Sequence, residues 1–305
     1  MWAWVGVLLI LLGYALFLAV EFVMLAFTQT GDPAQRASAR QLLGAWWGEV
    51  LTAPQVFCWR QPFRSHAEPD FVPPQATGMR GVVLVHGFFC NRALWNPWMA
   101  KLRLAQVPFV AVNLEPLFGS IDNYVGTVDQ AVRRLQSATG QAPVMVAHSM
   151  GGLAARAWLS NSANDARVHR VVTIGTPHHG TWLAHFGHTV NGKQMRISSP
   201  WLSQLARSEP PKRYAKFTCF YSHCDNIVFP ASTATLPGAS NRHVPGTAHV
   251  DLAFQEVAFD EVVRWVMAQS PETIDSESPG AATTACASGE HPSPHRGRGV
   301  RTTRP

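Results

Sequence analysis

The stretch Pro143-Val144-Met145-Val146-Ala147-His148-Ser149-Met150-Gly151-Gly152 reads as a short apolar strand, a very tight turn and the start of a helix. At its centre stands small-x-Ser-x-Gly, with Ala147 where the commoner pattern has glycine, and this is the pattern of a nucleophile elbow. The constraint is steric. A serine held on strained backbone between strand and helix tolerates almost no side chain two residues before it or two after. Ala147 and Gly151 meet that need at the expense of one methyl group. The turn lifts the Ser149 hydroxyl to the rim of a sheet and aims the Met150 N–H, at a helix N-terminus, at any oxyanion that develops beside it.

The rest of the central chain supplies such a sheet. Gly81 to Phe88 is a buried strand running into a glycine turn. Asn96-Pro97 is an N-cap and first helical residue for a helix through Leu102. A second strand covers Phe109 to Leu114. Ser120 to Thr139 carries Ile121, Tyr124, Val128, Val132 and Leu135 on one helical face and ends at Gly140. Further strands are expected over Val168 to Gly175, Lys216 to Tyr221 and near Asn241 to Pro245, and a last helix over Phe254 to Met267. Strands alternating with helices imply an α/β fold, a mainly parallel sheet with helices on both faces, and in such sheets sites form at the carboxyl ends of the strands. A chain of 305 residues holds one large domain of this kind, here residues 80–269, with extra segments at its ends.

An activated serine needs a base, a carboxylate to orient it and an oxyanion hole. The His86-Gly87-Phe88 turn follows a strand, which makes Phe88 N–H the candidate partner of Met150 N–H, with Phe89 next in line. Asp225, in the loop after the Lys216–Tyr221 strand, is the candidate carboxylate; Glu115 and Asp122 read as a loop residue and a helix-start residue. His249, just before the last helix, is the candidate base, with His243 its rival in a strand context. The order Ser149, Asp225, His249 is one of three known triad orders.

These pieces together resemble the α/β-hydrolase superfamily, and within it the bacterial triacylglycerol lipases and esterases and the glycosylphosphatidylinositol-deacylase type. The resemblance rests on Val85-His86-Gly87-Phe88, the Ser149 turn, Thr176-Pro177-His178-His179-Gly180-Thr181, Asp225-Asn226-Ile227-Val228-Phe229-Pro230 and Ala248-His249-Val250. It implies an α/β-hydrolase fold and hydrolysis of apolar carboxylic esters through an acyl-enzyme, with no cofactor. Acyl transfer or thioester hydrolysis by the same triad, and a non-catalytic binding module on the same fold, are the alternatives. The resemblance also implies a small cap, at residues 181–213, with Ser199 capping a short helix. Phe89, Trp182, Trp201 and Leu202 are then the candidate substrate-binding residues. His178, His179, His185 and His188 have no acidic partner nearby, so no metal is expected there.

The ends of the chain differ from its middle. Residues 1–28 are almost wholly apolar, long enough to span a bilayer, and lack the basic start and cleavage pattern of a signal peptide. They are expected to be an uncleaved transmembrane anchor, with Glu21 pairing or reaching the interface. Arg36 and Arg40 bias the domain toward the cytoplasm, while the resemblance to exported lipases pulls the other way. Residues 29–79 hold an amphipathic helix, with Leu42, Leu43, Trp46, Trp47, Val50 and Leu51 as one stripe, and a Pro-rich linker. A domain beginning near Gln61 should be active on short soluble esters, since every catalytic candidate lies beyond it. Residues 270–305 are rich in Ser, Thr, Pro and Gly and are expected to be disordered. Low charged content (14%) and eleven Trp suit a lipid or other apolar partner, and the net +6 is scattered, which argues against nucleic acid. The five cysteines form no regular spacing.

Overall fold

A computed structural model describes residues 2–29, 31–161 and 164–268; the tail expected over 270–305 lies outside them. The helices, in chain order, are α1 (Trp2–Thr28), α2 (Ala39–Pro54), α3 (Gln61–Phe63), α4 (Asn96–Leu104), α5 (Val125–Thr139), α6 (Met150–Asn161), α7 (Val190–Gln194), α8 (Pro200–Ser208), α9 (His249–Leu252) and α10 (Glu256–Met267). The strands are β1 (Val82–Val85), β2 (Phe109–Ala111), β3 (Val144–His148), β4 (Arg170–Ile174), β5 (Phe217–Tyr221) and β6 (Ser240–His243).

All six strands pair in parallel, in the order β2-β1-β3-β4-β5-β6. Parallel strands covered on both faces read as near-continuous apolar runs, as β1 does, while the edge strand β6 is polar and exposed. Val82 and Leu84 face one core with Trp98, Met99 and Leu102 of α4 and Val262 of α10. Val83 and Val85 face the other, with Val132 and Leu135 of α5 and Leu153 of α6. The chain leaves β1 for β2 on one side and returns to β3 on the other. The order therefore reverses between β1 and β3, and the carboxyl ends of these two strands form the crevice where such sheets bind ligands. The expected second strand is shorter than its apolar run, and the helix expected from Ser120 opens as a 3-10 turn, Ile121–Tyr124, before α5.

The insertion after β4 contains α7 and α8, and Ser199 caps α8 by accepting from Leu202 N–H at 3.1 Å. A fully buried ion pair pins it. Arg156 of α6 meets Glu209 with Nη2 to Oε2 at 2.5 Å, and Arg156 Nη1 donates to His178 O at 2.8 Å. Tyr214 OH donates to the same carboxylate at 2.8 Å.

The N-terminal helices are joined to this body. Tyr14, Leu18, Glu21, Phe22 and Leu25 form the inward face of α1. Trp46 Nε1 of α2 donates to Ala15 O at 3.0 Å, and Gln29 Nε2 donates to His223 O at 3.0 Å. The single apolar stripe expected on α2 is in fact two. Leu42, Ala45, Trp46, Glu49 and Ala53 turn inward, while Leu43, Trp47 and Leu51, spaced by four, stay exposed.

Removing one member of a buried ion pair costs about 3–5 kcal/mol, because the other charge is left buried and alone. Glu209→Ala should lose about that much in urea unfolding, and the double variant Arg156→Met/Glu209→Leu should recover most of it.

Candidate active site

Ser149 sits at φ +55°, the left-handed region that a non-glycine residue rarely adopts, between the last residue of β3 and the first of α6. Its N–H donates to Ile174 O at 2.9 Å, which ties the turn to β4. The crowding is severe. A Cβ on Gly151 would stand 2.5 Å from His86 O, and one on Gly87 would stand 2.7 Å from Ser149 Cβ. The loop after β1 thus passes directly against the serine. Phe88 follows Gly87 in that loop, and Met150 follows Ser149 at the start of α6.

His86 fixes that loop. Leu114 N–H donates to its Nε2 at 3.0 Å, which leaves the ring proton on Nδ1, 2.8 Å from Gly87 O. Burial lowers its pKa to about 4, so the ring stays neutral. Phe89 follows at φ +57° and is half exposed, in edge contact with Phe88 and Phe118.

Asp225 and His249 are brought together from loops after β5 and β6. Nδ1 of His249 lies 2.9 Å from Asp225 Oδ2 and 3.0 Å from Oδ1. Asp225 Oδ1 also accepts from Ile227 N–H at 2.9 Å and Val228 N–H at 2.7 Å, so the carboxylate is held by its own loop. Burial would lower the His249 pKa, but the charge and hydrogen bond of Asp225, with contributions from Glu49 and Glu21, outweigh it and raise it. His148 stacks beside it, ring centroids 4.6 Å apart, and burial together with the His249 charge holds its own pKa well below the usual value. His243 stands apart, packed against Tyr221 and His223.

Ser149 and His249 share one apolar cavity of about 350 Å³. Phe88, Phe89, Cys90, His148, Ile227 and Val250 line one side. Much of the remaining lining is N-terminal: Tyr14, Phe17, Leu18 and Glu21 of α1, Glu49 and Ala53 of α2, and Phe57. A domain beginning near Gln61 keeps the catalytic candidates but lacks this wall, so its expected activity considered only part of the site.

Of the four residues expected to hold substrate, only Phe89 lines the cavity. Trp182 stacks on Phe229 at 5.9 Å, in the cluster that seats Phe22 and Leu25 of α1. Trp201 Nε1 donates to Asp122 Oδ2 at 2.9 Å and borders a separate cleft, and Leu202 is buried in the core. No residue of the insertion lines the serine's cavity. His178 is buried with Nε2 3.0 Å from Thr173 Oγ1, and among the described residues no group of three His, Cys, Asp or Glu could hold a metal. Cys58, Cys90, Cys219 and Cys224 are free thiols.

Three features were not drawn from the sequence. Glu49 reaches under the His249 loop, Asn226 accepts from His249 N–H at 3.2 Å, and Gly175 makes room for the pair. A usable signal for Glu49 was its place between Ala45 and Ala53, a row of small residues that marks a closely packed face.

The sequence profile of the alpha/beta hydrolase family matches residues 82–295. The chain belongs to that family. No functionally curated protein matches it significantly in sequence. Among solved structures it is similar to the mature Bacillus licheniformis lipase BlEst2, with TM-score 0.55 and 16% identity over 64% of this chain and 95% of that one. It is also similar to Aspergillus fumigatus lipase B, with TM-score 0.57 and 20% identity over 67% of this chain and 58% of that one. Phospholipase PlaB from Legionella pneumophila matches with TM-score 0.50 and 15% identity, over 64% of this chain and 60% of that one. At these identities the likeness is one of fold.

Gly175, at φ +56°, faces the pair: an added Cβ would lie 3.0 Å from Asp225 Oδ2 and 3.1 Å from His249 Nδ1. Gly175→Ala should cost about 1–2 kcal/mol of backbone strain and, by displacing His249, about 100-fold in kcat. Gly238, at φ +83° with open space around it, is the control. Gly238→Ala should lose similar stability, measured by thermal unfolding, and keep kcat.

Proposed function

We propose that the protein is a membrane-anchored serine hydrolase of apolar carboxylic esters. The observation that carries the reading is the Asp225–His249 hydrogen bond at 2.9 Å, opening into the apolar cavity that also holds Ser149. Ser149 Oγ attacks the ester carbonyl carbon while its proton passes to His249 Nε2. The carbonyl oxygen takes up the negative charge between Phe88 N–H and Met150 N–H. The tetrahedral adduct collapses, the C–O bond to the alcohol breaks, and His249 returns the proton to the departing oxygen. Water then repeats the sequence on the acyl-enzyme, its proton going to His249 and back to Ser149. Asp225 holds the imidazole with the proton on Nδ1 and stabilises the imidazolium.

Cavity shape supports an acyl substrate. Its volume is within the range of small-molecule pockets, roughly 300–1,000 Å³, and Phe17, Leu18, Phe57 and Phe89 offer only apolar contact. The anchor reading rests on α1, whose Trp4–Thr28 stretch has mean hydropathy 2.5 and is long enough to cross a bilayer. Leu11, Leu16, Val20 and Val23 of α1 and Leu43, Trp47 and Leu51 of α2 present apolar surface outward, as suits contact with lipid. Glu21 does not contradict a span, since it faces the protein and accepts from Asn226 Nδ2 at 2.6 Å. Phe17, exposed and yet lining the cavity, stands where an acyl chain leaving the bilayer would enter.

Triad members act as a unit, so their losses do not add. Ser149→Ala and His249→Ala should each lower kcat by about 10⁴-fold to 10⁶-fold on a nitrophenyl ester, and the double variant should lose little more. Turnover kept by Ser149→Ala would remove the nucleophile from this reading. His243→Ala should leave kcat unchanged.

A further inference from the structure

We propose that Glu49 is a positioning residue of the reaction: carried on α2, its buried carboxylate holds the backbone that follows His249 in place and sets a negative charge beside the imidazolium that forms there. The proposal rests on the hydrolase reading above.

The geometry is specific. Glu49 Oε1 accepts from Val250 N–H at 3.0 Å, and Oε2 accepts from Val250 N–H and Asp251 N–H, each at 3.2 Å. These are the two residues directly after His249, in the single turn of α9, so the carboxylate grips the backbone while Asp225 holds the ring. A second brace comes from α1, where Glu21 accepts from Asn226 Nδ2, and Asn226 Oδ1 accepts from His249 N–H. His249 is therefore held at its ring by the catalytic domain and at its backbone by the two N-terminal helices, about 200 residues away in sequence.

Charge makes this more than packing. Glu49 is 2% exposed, and no lysine or arginine pairs with it among the described residues. Burial pushes its carboxyl up to about 7, with the Val250 and Asp251 amides and the His249 charge pulling it down. A buried carboxylate without a cation is stabilised most when a positive charge appears nearby. Here that charge is the imidazolium, which forms as Ser149 gives up its proton. The interaction is stronger in the transition state than in the resting site, which is the condition for raising kcat. Tyr14, Asp225, His249 and Asp251 are the other titratable groups around Glu49, and Asp225, Glu49, Glu21 and His148 those around His249.

The test uses the full chain in detergent micelles with nitrophenyl acetate, comparing wild type, Glu49→Gln, Glu49→Asp and Ser149→Ala. Glu49→Gln keeps an acceptor but removes the charge. It should lower kcat about 10-fold to 100-fold while KM stays within about twofold. Losing the charge disfavours the imidazolium, so the acidic limb of kcat/KM, which the Asp225 and Glu49 charges raise in wild type, should move to lower pH. Glu49→Asp should restore the position of that limb. A Glu49→Gln variant with wild-type kcat and an unmoved limb overturns the proposal, as does a loss confined to KM. If Glu49→Gln does not fold, Glu49→Asp is read alone: a limb at the wild-type pH with kcat reduced at constant KM supports the proposal, and a limb moved to lower pH overturns it. Turnover by Ser149→Ala would instead sink the hydrolase reading, so the two failures are distinct.

Discussion

The left-handed backbone at Ser149 sets the terms for everything around it. A residue at φ +55° between a strand and a helix is stable only when its surroundings over-determine it. Here the loop after β1 lies so close that a Cβ on Gly87 or Gly151 would enter the space of Ser149 Cβ or of a backbone carbonyl. That proximity follows from the sheet order, which places β1 and β3 side by side at the point where the chain reverses direction across the sheet. His86 is spent on holding this loop, its two ring nitrogens bonded to Leu114 N–H and Gly87 O, and it takes no part in proton transfer.

Around His249 the structure assembles two carboxylates at hydrogen-bond range, one on the ring and one on the following backbone, with a third acting through Asn226. Two of the three come from helices that precede the catalytic domain. This explains why α1 and α2 are apolar on more than one side. Their inner faces complete a cavity, and their outer faces leave apolar side chains exposed. A helix serving only as a tether would have no reason to bury Glu21 or to carry the cavity wall at Tyr14 and Leu18.

The parts of the site legible in the sequence are those with a local cause. The Ser149 turn needs small neighbours within two residues, and the Gly87 turn and the Asp225 loop each follow a strand whose apolar run marks it. What the sequence left unread depends on contacts between distant segments. Glu49 looks like an ordinary polar residue of an amphipathic helix, and only its pairing with amides 201 and 202 residues away shows otherwise. Trp182, Trp201 and Leu202 are large and apolar in the right stretch of chain, yet Trp182 packs on Phe229 beside α1, and the Arg156–Glu209 pair and the Trp201–Asp122 hydrogen bond tie the rest of the insertion to α6 and the turn before α5. Size and polarity suggested a lid; buried charge decided where the segment packs.

Covalent capture of the nucleophile tests the central claim most directly. The folded full chain, treated with a fluorophosphonate and digested for peptide mapping, should carry one adduct, on Ser149, and formation of that adduct should slow sharply in His249→Ala. An adduct on another residue, or none on folded protein, would contradict the account.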